Sequence, residues 1–160
     1  MKFCPKCGHE LSTEIIDNVN RHVCTNHECK NILWNNPIPV VAALVELDGH
    51  YVIARNRAWP EGIFSVITGY LEQSECPQEA VVREVKEELG LEGRVKRLIG
   101  NYMFKEKNQI ILCYEVIATG AIVLNHELAQ SKTLSPAELA SYDFSPLYIT
   151  QNIIEDWKRG

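Results

Sequence analysis

Between Val40 and Leu47 the chain reads VVAALVEL, an almost unbroken apolar run. A strand wetted on one face would alternate, so this run predicts a central strand covered on both faces. Asp48-Gly49 then favours a tight hairpin turn, and Tyr51 to Ala54 form the returning strand. Ala58-Trp59-Pro60-Glu61-Gly62 reads as a loop, and Phe64 to Thr68 as a further short strand. Residues 95–104 and 109–118 predict two later strands around Glu106-Lys107-Asn108. Ser135 and Pro136 have the cap and first-turn chemistry of a helix start. Ile149, Ile153 and Trp157 recur at four-residue steps, which predicts a final helix over about 146–158. Strands interleaved with helices in this way place the chain in the mixed α/β class.

One more amphipathic segment follows residue 76. Pro77 suits the first helical turn, and Gly90 suits a left-handed C-cap. Ala80, Val81, Val85 and Leu89 fall on the side that would meet a core. Glu84, Glu87 and Glu88 stand at i, i+3 and i+4, so they share the opposite face. Crowded carboxylates repel, and such a face costs stability unless cations occupy it. Oxygen-only ligands suit a hard ion, Mg2+ or Mn2+. Arg83 sits among these acids and can orient Glu75 or Glu87 by bidentate pairing.

From Gly69 to Leu91 the spacing is G-x5-E-x7-R-E-U-x-E-E-x-G-U, with U aliphatic. That spacing resembles the Nudix box at every defined position. The resemblance implies an α/β/α sandwich with a mixed sheet. It implies hydrolysis of the pyrophosphate of a nucleoside diphosphate linked to another group. FAD, ADP-ribose and NADH are the expected substrates, with release of a nucleoside monophosphate. A nucleoside triphosphatase, an NAD-cap hydrolase acting on RNA and a non-catalytic nucleotide sensor are the alternatives. By the same resemblance, Glu84, Glu87, Glu88 and the backbone carbonyl of Gly69 hold the divalent ions, and Glu75 and Arg83 support them. The general base varies among such enzymes, and Glu106, Glu115 and Glu138 are candidates outside the box.

A second constellation precedes the first long strand. Cys4 and Cys7 form one short-spaced pair, and Cys24 and Cys29 form another. Two knuckles brought together by a hairpin make a tetrahedral thiolate site for structural Zn2+. Gly8 directly after Cys7 permits the tight knuckle turn. The second pair is more widely spaced than usual, so His22 and His27 compete as ligands, His27 being better placed. Cys76 and Cys113 lack partner spacing and read as structural. Pro37 and Pro39 mark the passage out of this segment, which divides the chain into a ribbon at 1–36 and a catalytic domain at 37–160.

A zinc ribbon joined to a Nudix domain is similar to the NADH pyrophosphatases and to a group related to FAD and ADP-ribose pyrophosphatases. The former carry a Ser-Gln-Pro-Trp-Pro-Phe-Pro-like segment after the box. Here residues 100–109 read GNYMFKEKNQ, without Pro-Trp-Pro, which shifts weight to the second group. Val66-Ile67-Thr68-Gly69 also replaces the usual Leu-Pro-Ala-Gly, but the glycine is kept. The same resemblance leaves open a homodimer whose interface the ribbon would shape, and the sequence alone does not decide the oligomeric state.

Composition adds limits. The formal net charge is −5, with no Lys/Arg cluster, which argues against a general nucleic-acid reader. The start, MKFCPKCGHE, has no apolar leader and no run reaches membrane-spanning length. A cytoplasmic location is therefore the expectation, where thiols stay reduced. For a small-molecule nucleotide, Arg55 and Arg57 are candidate phosphate contacts, and Trp59 and Tyr70 candidate ring contacts. Tyr102 and Phe104 are further aromatics able to stack on a ring.

Overall fold

The computed structural model describes all residues from Met1 to Gly160, and they fold as two compact units, Met1–Asn36 and Pro37–Gly160. The first unit is a three-stranded antiparallel sheet of β1 (Leu11–Ile16), β2 (Val19–Cys24) and β3 (Ile32–Leu33). Asp17 and Asn18 both take positive φ in the hairpin between β1 and β2, a conformation that short polar side chains tolerate.

In the second unit, β4 (Ile38–Leu47) and β5 (His50–Asn56) form the expected hairpin, followed by β6 (Ile67–Tyr70), α1 (Pro77–Leu89) and β7 (Glu92–Phe104). A 3-10 turn at Lys105–Lys107 leads into β8 (Gln109–Thr119), then β9 (Leu128–Leu134), α2 (Pro136–Ser141) and α3 (Tyr148–Arg159). The strand order is β7-β8-β4-β5-β9, with β6 paired to β4. The sheet is mixed, because β4 and β8 run parallel while the other pairs are antiparallel.

The two faces of β4 explain its apolar run. Val41, Ala43 and Val45 enter the core under α1 with Ala80, Val81, Val85 and Leu89. Val40, Ala42 and Leu44 enter the opposite core with Leu139 of α2 and Ile153 and Ile154 of α3. Each fully buried Val or Leu contributes about 1.5–3 kcal/mol, so both layers are fixed by this one strand. One edge of β4 pairs with β8 along its length. Its other edge is shared: Val40–Ala43 pair with β6 and Val45–Leu47 with β5.

Two elements depart from the sequence reading. The strand expected at Phe64 begins later, at Ile67, because Ser65 makes only an isolated bridge to Ala54. β9 was not expected, since LAQSKTL has little apolar signal, yet it pairs with β5 over its whole length. No helix is long and apolar enough to cross a membrane.

Candidate active site and thiol cluster

α1 carries the acidic face. Its first turn is closed by Glu79, whose carboxylate accepts the Cys76 N–H at 3.3 Å. Its last turn stops at Gly90, whose φ of 70° is left-handed, where a side chain would be strained. Between these ends Arg83 organises the box. Its Nε and Nη2 donate to the two oxygens of Glu75 at 2.8 and 2.9 Å. Its Nη1 donates to Glu84 at 2.8 Å and Glu87 at 3.0 Å, and Nη2 also reaches the Tyr70 carbonyl at 3.1 Å. These bonds hold the guanidinium far above its usual range, Glu75 contributing most, and hold Glu75 below the usual carboxylate range. Glu75 is thus consumed by Arg83 and does not line the cavity beside α1.

Glu84 lies flat against β6. A Cβ built on Gly69 would sit 1.9 Å from the Glu84 Cδ, so only glycine lets strand and carboxylate approach this closely. Burial raises the Glu84 carboxyl above its ordinary value, although Arg83 opposes this. Glu88 differs again. It is 7% exposed, no cation pairs with it, and burial followed by repulsion from Glu84, Glu127 and Glu87 pushes it up to about 8.

Glu127 was absent from the sequence reading. It precedes β9, and the loop that carries it is tied to the end of α1. Asn125 donates its backbone N–H to the Glu88 carbonyl at 3.1 Å, satisfying one of the open carbonyls at the helix end. The Asn125 side chain then accepts the N–H groups of Glu127 at 2.9 Å and Leu128 at 3.2 Å. The turn places Glu127 with Glu88 around a pouch of about 60 Å³ that Thr68, Asn56 and Trp59 also line. An Asn two residues before an acid is a local turn signal, but nothing local links that turn to α1.

The acids edge a cavity of about 670 Å³ on the α3 side of the sheet. Glu84, Glu87, Glu88, Glu127 and Gly69 line it together, and Trp59, Tyr70 and Phe104 also line it. Other candidates lie elsewhere. Arg55 donates to the Trp59 carbonyl at 3.0 Å and to Gln130 at 3.3 Å, and Arg57 is exposed; neither lines the cavity. Tyr102 donates to Asp156 of α3 at 2.9 Å.

None of the three outside acids considered as bases faces the cavity. Glu106 accepts from Tyr148 at 2.7 Å, and Glu138 caps α2 by accepting the Ser135 N–H at 2.8 Å. Glu115 is buried among Tyr51, Lys96, Arg97 and Trp157. Sequence does not distinguish these: Glu106 falls in the turn between β7 and β8, Glu115 within β8 and Glu138 in the first turn of α2.

In the first unit, the sulfurs of Cys4, Cys7, Cys24 and Cys29 all lie within 4.8 Å of one another. The Cys7–Cys24 and Cys4–Cys29 separations are 3.4 and 3.8 Å. Tetrahedral Zn–S bonds of about 2.3 Å imply sulfur separations of about 3.8 Å, so the thiols fit the ion. The Gly8 N–H donates to the Cys4 carbonyl at 2.9 Å, closing the first knuckle. The His9 backbone N–H holds the Cys7 thiol down to about 6, whereas burial pushes Cys24 up to about 12. His22 contacts Thr13 at 3.4 Å and His27 is exposed; neither belongs to the cluster.

Residues 36–152 match the family described as NUDIX domain, and residues 2–33 match the family described as Nudix N-terminal. The chain belongs to the Nudix family. The NAD-capped RNA hydrolase NudC of Photorhabdus laumondii is 24% identical over 160 residues, covering 97% of this chain and 59% of that protein. NudC of Vibrio vulnificus is 27% identical over 114 residues, covering 71% of this chain and 42% of that protein. The chain therefore spans between 42% and 59% of the length of these curated relatives. A NUDIX hydrolase crystal structure from Nitrosomonas europaea superposes with a TM-score of 0.81 at 20% identity, covering 100% of this chain and 94% of that one. That likeness shows the fold.

Proposed function

We propose that this chain is a Nudix pyrophosphohydrolase that cleaves the diphosphate bond of a dinucleotide-type substrate. FAD, ADP-ribose and NADH are the candidates, and a nucleoside monophosphate is one product. In this reading residues 1–36 are a zinc ribbon and residues 37–160 the hydrolase domain. The observation that carries it is Glu88, a carboxylate 7% exposed and without a cation partner, facing Glu84 and Glu127. Burying an unpaired charge is costly, and a bound cation removes that cost.

Glu84, Glu87, Glu88 and Glu127, with the Gly69 carbonyl, would hold Mg2+ or Mn2+. Such ions neutralise phosphate charge and acidify a bound water. Arg83 fixes the Glu84 and Glu87 carboxylates, and Glu75 fixes Arg83 in turn. Glu127, half-exposed and outside the helix, is placed either to complete the ligand set or to take the proton of the attacking water. A cavity of about 670 Å³ falls within the usual range for small-molecule sites. Tyr70 and Trp59 on its wall supply ring contacts. The four cysteines would hold one Zn2+ with no open position, a structural role. Ribbon folding then depends on the ion.

The curated relatives named NAD-capped RNA hydrolase support a second reading, in which the NAD-type diphosphate is the end of an RNA. The net charge of −5 weighs against strong phosphate-backbone binding. The test offers FAD, ADP-ribose, NADH, NAD, nucleoside triphosphates and an NAD-capped RNA with Mg2+ or Mn2+ to wild type and Glu84→Gln. Release of a nucleoside monophosphate by wild type alone is expected. Equal turnover by the folded Glu84→Gln protein would sink the assignment, and preference for the capped RNA would favour the second reading.

A further inference from the structure

The acids are not the only buried polar groups on the cavity wall. Four buried polar residues line the cavity: Ser65, Glu88, Gln109 and Thr150. Ser65 and Thr150 satisfy each other, hydroxyl to hydroxyl at 2.7 Å, and Glu88 belongs to the acidic cluster. Gln109 remains. It is the first residue of β8 and is 7% exposed. Its Nε2 donates to the Tyr70 hydroxyl at 3.1 Å, and the residue lines the cavity.

Aromatic rings surround that amide. Phe104 is its direct cross-strand partner on β7. Tyr148, at the start of α3, meets Phe104 edge-on, with centroids 6.4 Å apart and planes at 78°. Tyr70 and Tyr148 keep 57% and 48% of their surface exposed, so their rings are available for stacking. An amide carbonyl on a cavity wall can accept a hydrogen bond from a ligand.

We infer that Gln109, held by Tyr70 and flanked by Phe104 and Tyr148, is a specificity-determining residue that reads an amine donor on a planar ring of the substrate. Adenine offers that donor as its exocyclic amine, and a nicotinamide offers it as a carboxamide. The ring stacks on the aromatic rim and its N–H points to the Gln109 Oε1. The inference relies on the pyrophosphatase reading for the phosphates at the acidic cluster, but not for the slot itself. A site built to hydrogen-bond one group discriminates strongly against analogues lacking it, because its own polar atom is then stranded.

The test is calorimetric binding of mononucleotides in Mg2+, which needs no turnover. One arm compares AMP with purine riboside monophosphate, which lacks the amine. The other compares nicotinamide mononucleotide with nicotinic acid mononucleotide. Wild type is expected to favour the amine-bearing member of at least one pair by about tenfold or more, and the arm that discriminates identifies the ring. Gln109→Leu should bring that ratio close to one, while Gln109→Asn, with a shorter amide, retains part of it. A wild-type ratio of one in both arms, or an unchanged ratio in folded Gln109→Leu, overturns the inference. Ring selectivity in binding without hydrolysis of any dinucleotide would retain the slot and overturn the hydrolase reading. Hydrolysis without ring selectivity would do the reverse.

Discussion

Glu88 and Glu115 are the same residue type, both in the second unit and both nearly inaccessible, at 7% and 2% exposure. Their environments are opposite. Burial pushes Glu115 up, but Lys96 at 3.0 Å, Arg97 at 2.7 Å and the Tyr51 hydroxyl at 2.9 Å outweigh it and leave the carboxyl below its ordinary value. Among charged groups Glu88 meets only carboxylates, and it rises to about 8. Glu115 is a finished structural network: it ties β8 to β5 and β7, and Arg97 continues to the Trp157 carbonyl of α3 at 3.1 Å. Glu88 is unfinished by the protein's own groups and opens onto a cavity. A buried acid is a candidate ligand when the fold supplies no cation to it, and a strut when it does.

The largest effect separating the two belongs to chemistry. Glu88→Gln keeps the shape of the side chain and removes its charge. Metal-dependent turnover is expected to fall on the order of a thousandfold, about 4 kcal/mol of barrier. Melting of the same variant without divalent ions should be no lower than wild type. Glu115→Gln should invert that pattern. Lys96 and Arg97 lose their shared anion, and stability is expected to drop by about 3 kcal/mol. In a chain of this size that is a Tm decrease on the order of 10 °C. Parallel melts and single-substrate rates on both variants decide it. A catalytic loss in Glu115→Gln exceeding its loss of folded protein would break the distinction.

Gly69→Ala probes the acidic cluster more gently. The new Cβ would overlap Glu84, so the carboxylate must move away from β6. A displacement of about 1 Å at a reacting centre costs up to about a hundredfold in rate. The expected result is about a tenfold to hundredfold loss in kcat, with the bonds from Arg83 to Glu75 intact. Metal titration followed by rate measurements at saturation would separate weaker binding from misplacement. Unchanged rates would mean that Glu84 is not held where the structure has it.

The box was legible because its geometry is local. Glu84, Glu87 and Glu88 share a face by helical period, and Pro77 and Gly90 mark the ends of that helix. The central strand was legible because burial on both faces leaves a continuous apolar run. Glu127 was not legible. It reaches Glu88 only because Asn125 docks the loop on the end of α1, a contact between elements far apart in sequence. Glu115 misled for the same reason. Its neutralising partners, Lys96 and Arg97, come from the adjacent antiparallel strand, and only the register of β7 against β8 brings them together. Gln109 carries no motif at all; its meaning comes from the fold that buries it beside Tyr70.

The smallest effect is a pH signature, and it has opposite signs at the two acids. Glu115 has a depressed carboxyl, so its stabilisation is present above the ordinary value of 4.5 and is lost as pH falls through the folded value. Glu88 is raised from 4.5 to about 8, so between those values the folded protein keeps a proton that the unfolded chain has released. Stability attributable to Glu88 therefore declines as pH climbs from about 4.5 towards 8, and the penalty is complete above that value. Glu88→Gln lacks this term. Without divalent ions, its Tm advantage over wild type should be absent near pH 4.5, grow as pH rises and level off above about 8. Mg2+ or Mn2+ at high pH should close the gap from the wild-type side, because the ion binds the ionised folded site and stabilises it by mass action. Melts of both proteins from acid to alkaline pH, with and without the ion, read the effect directly. A gap that does not change with pH would mean that Glu88 titrates as an ordinary surface carboxylate, and the contrast with Glu115 would then lie in packing alone.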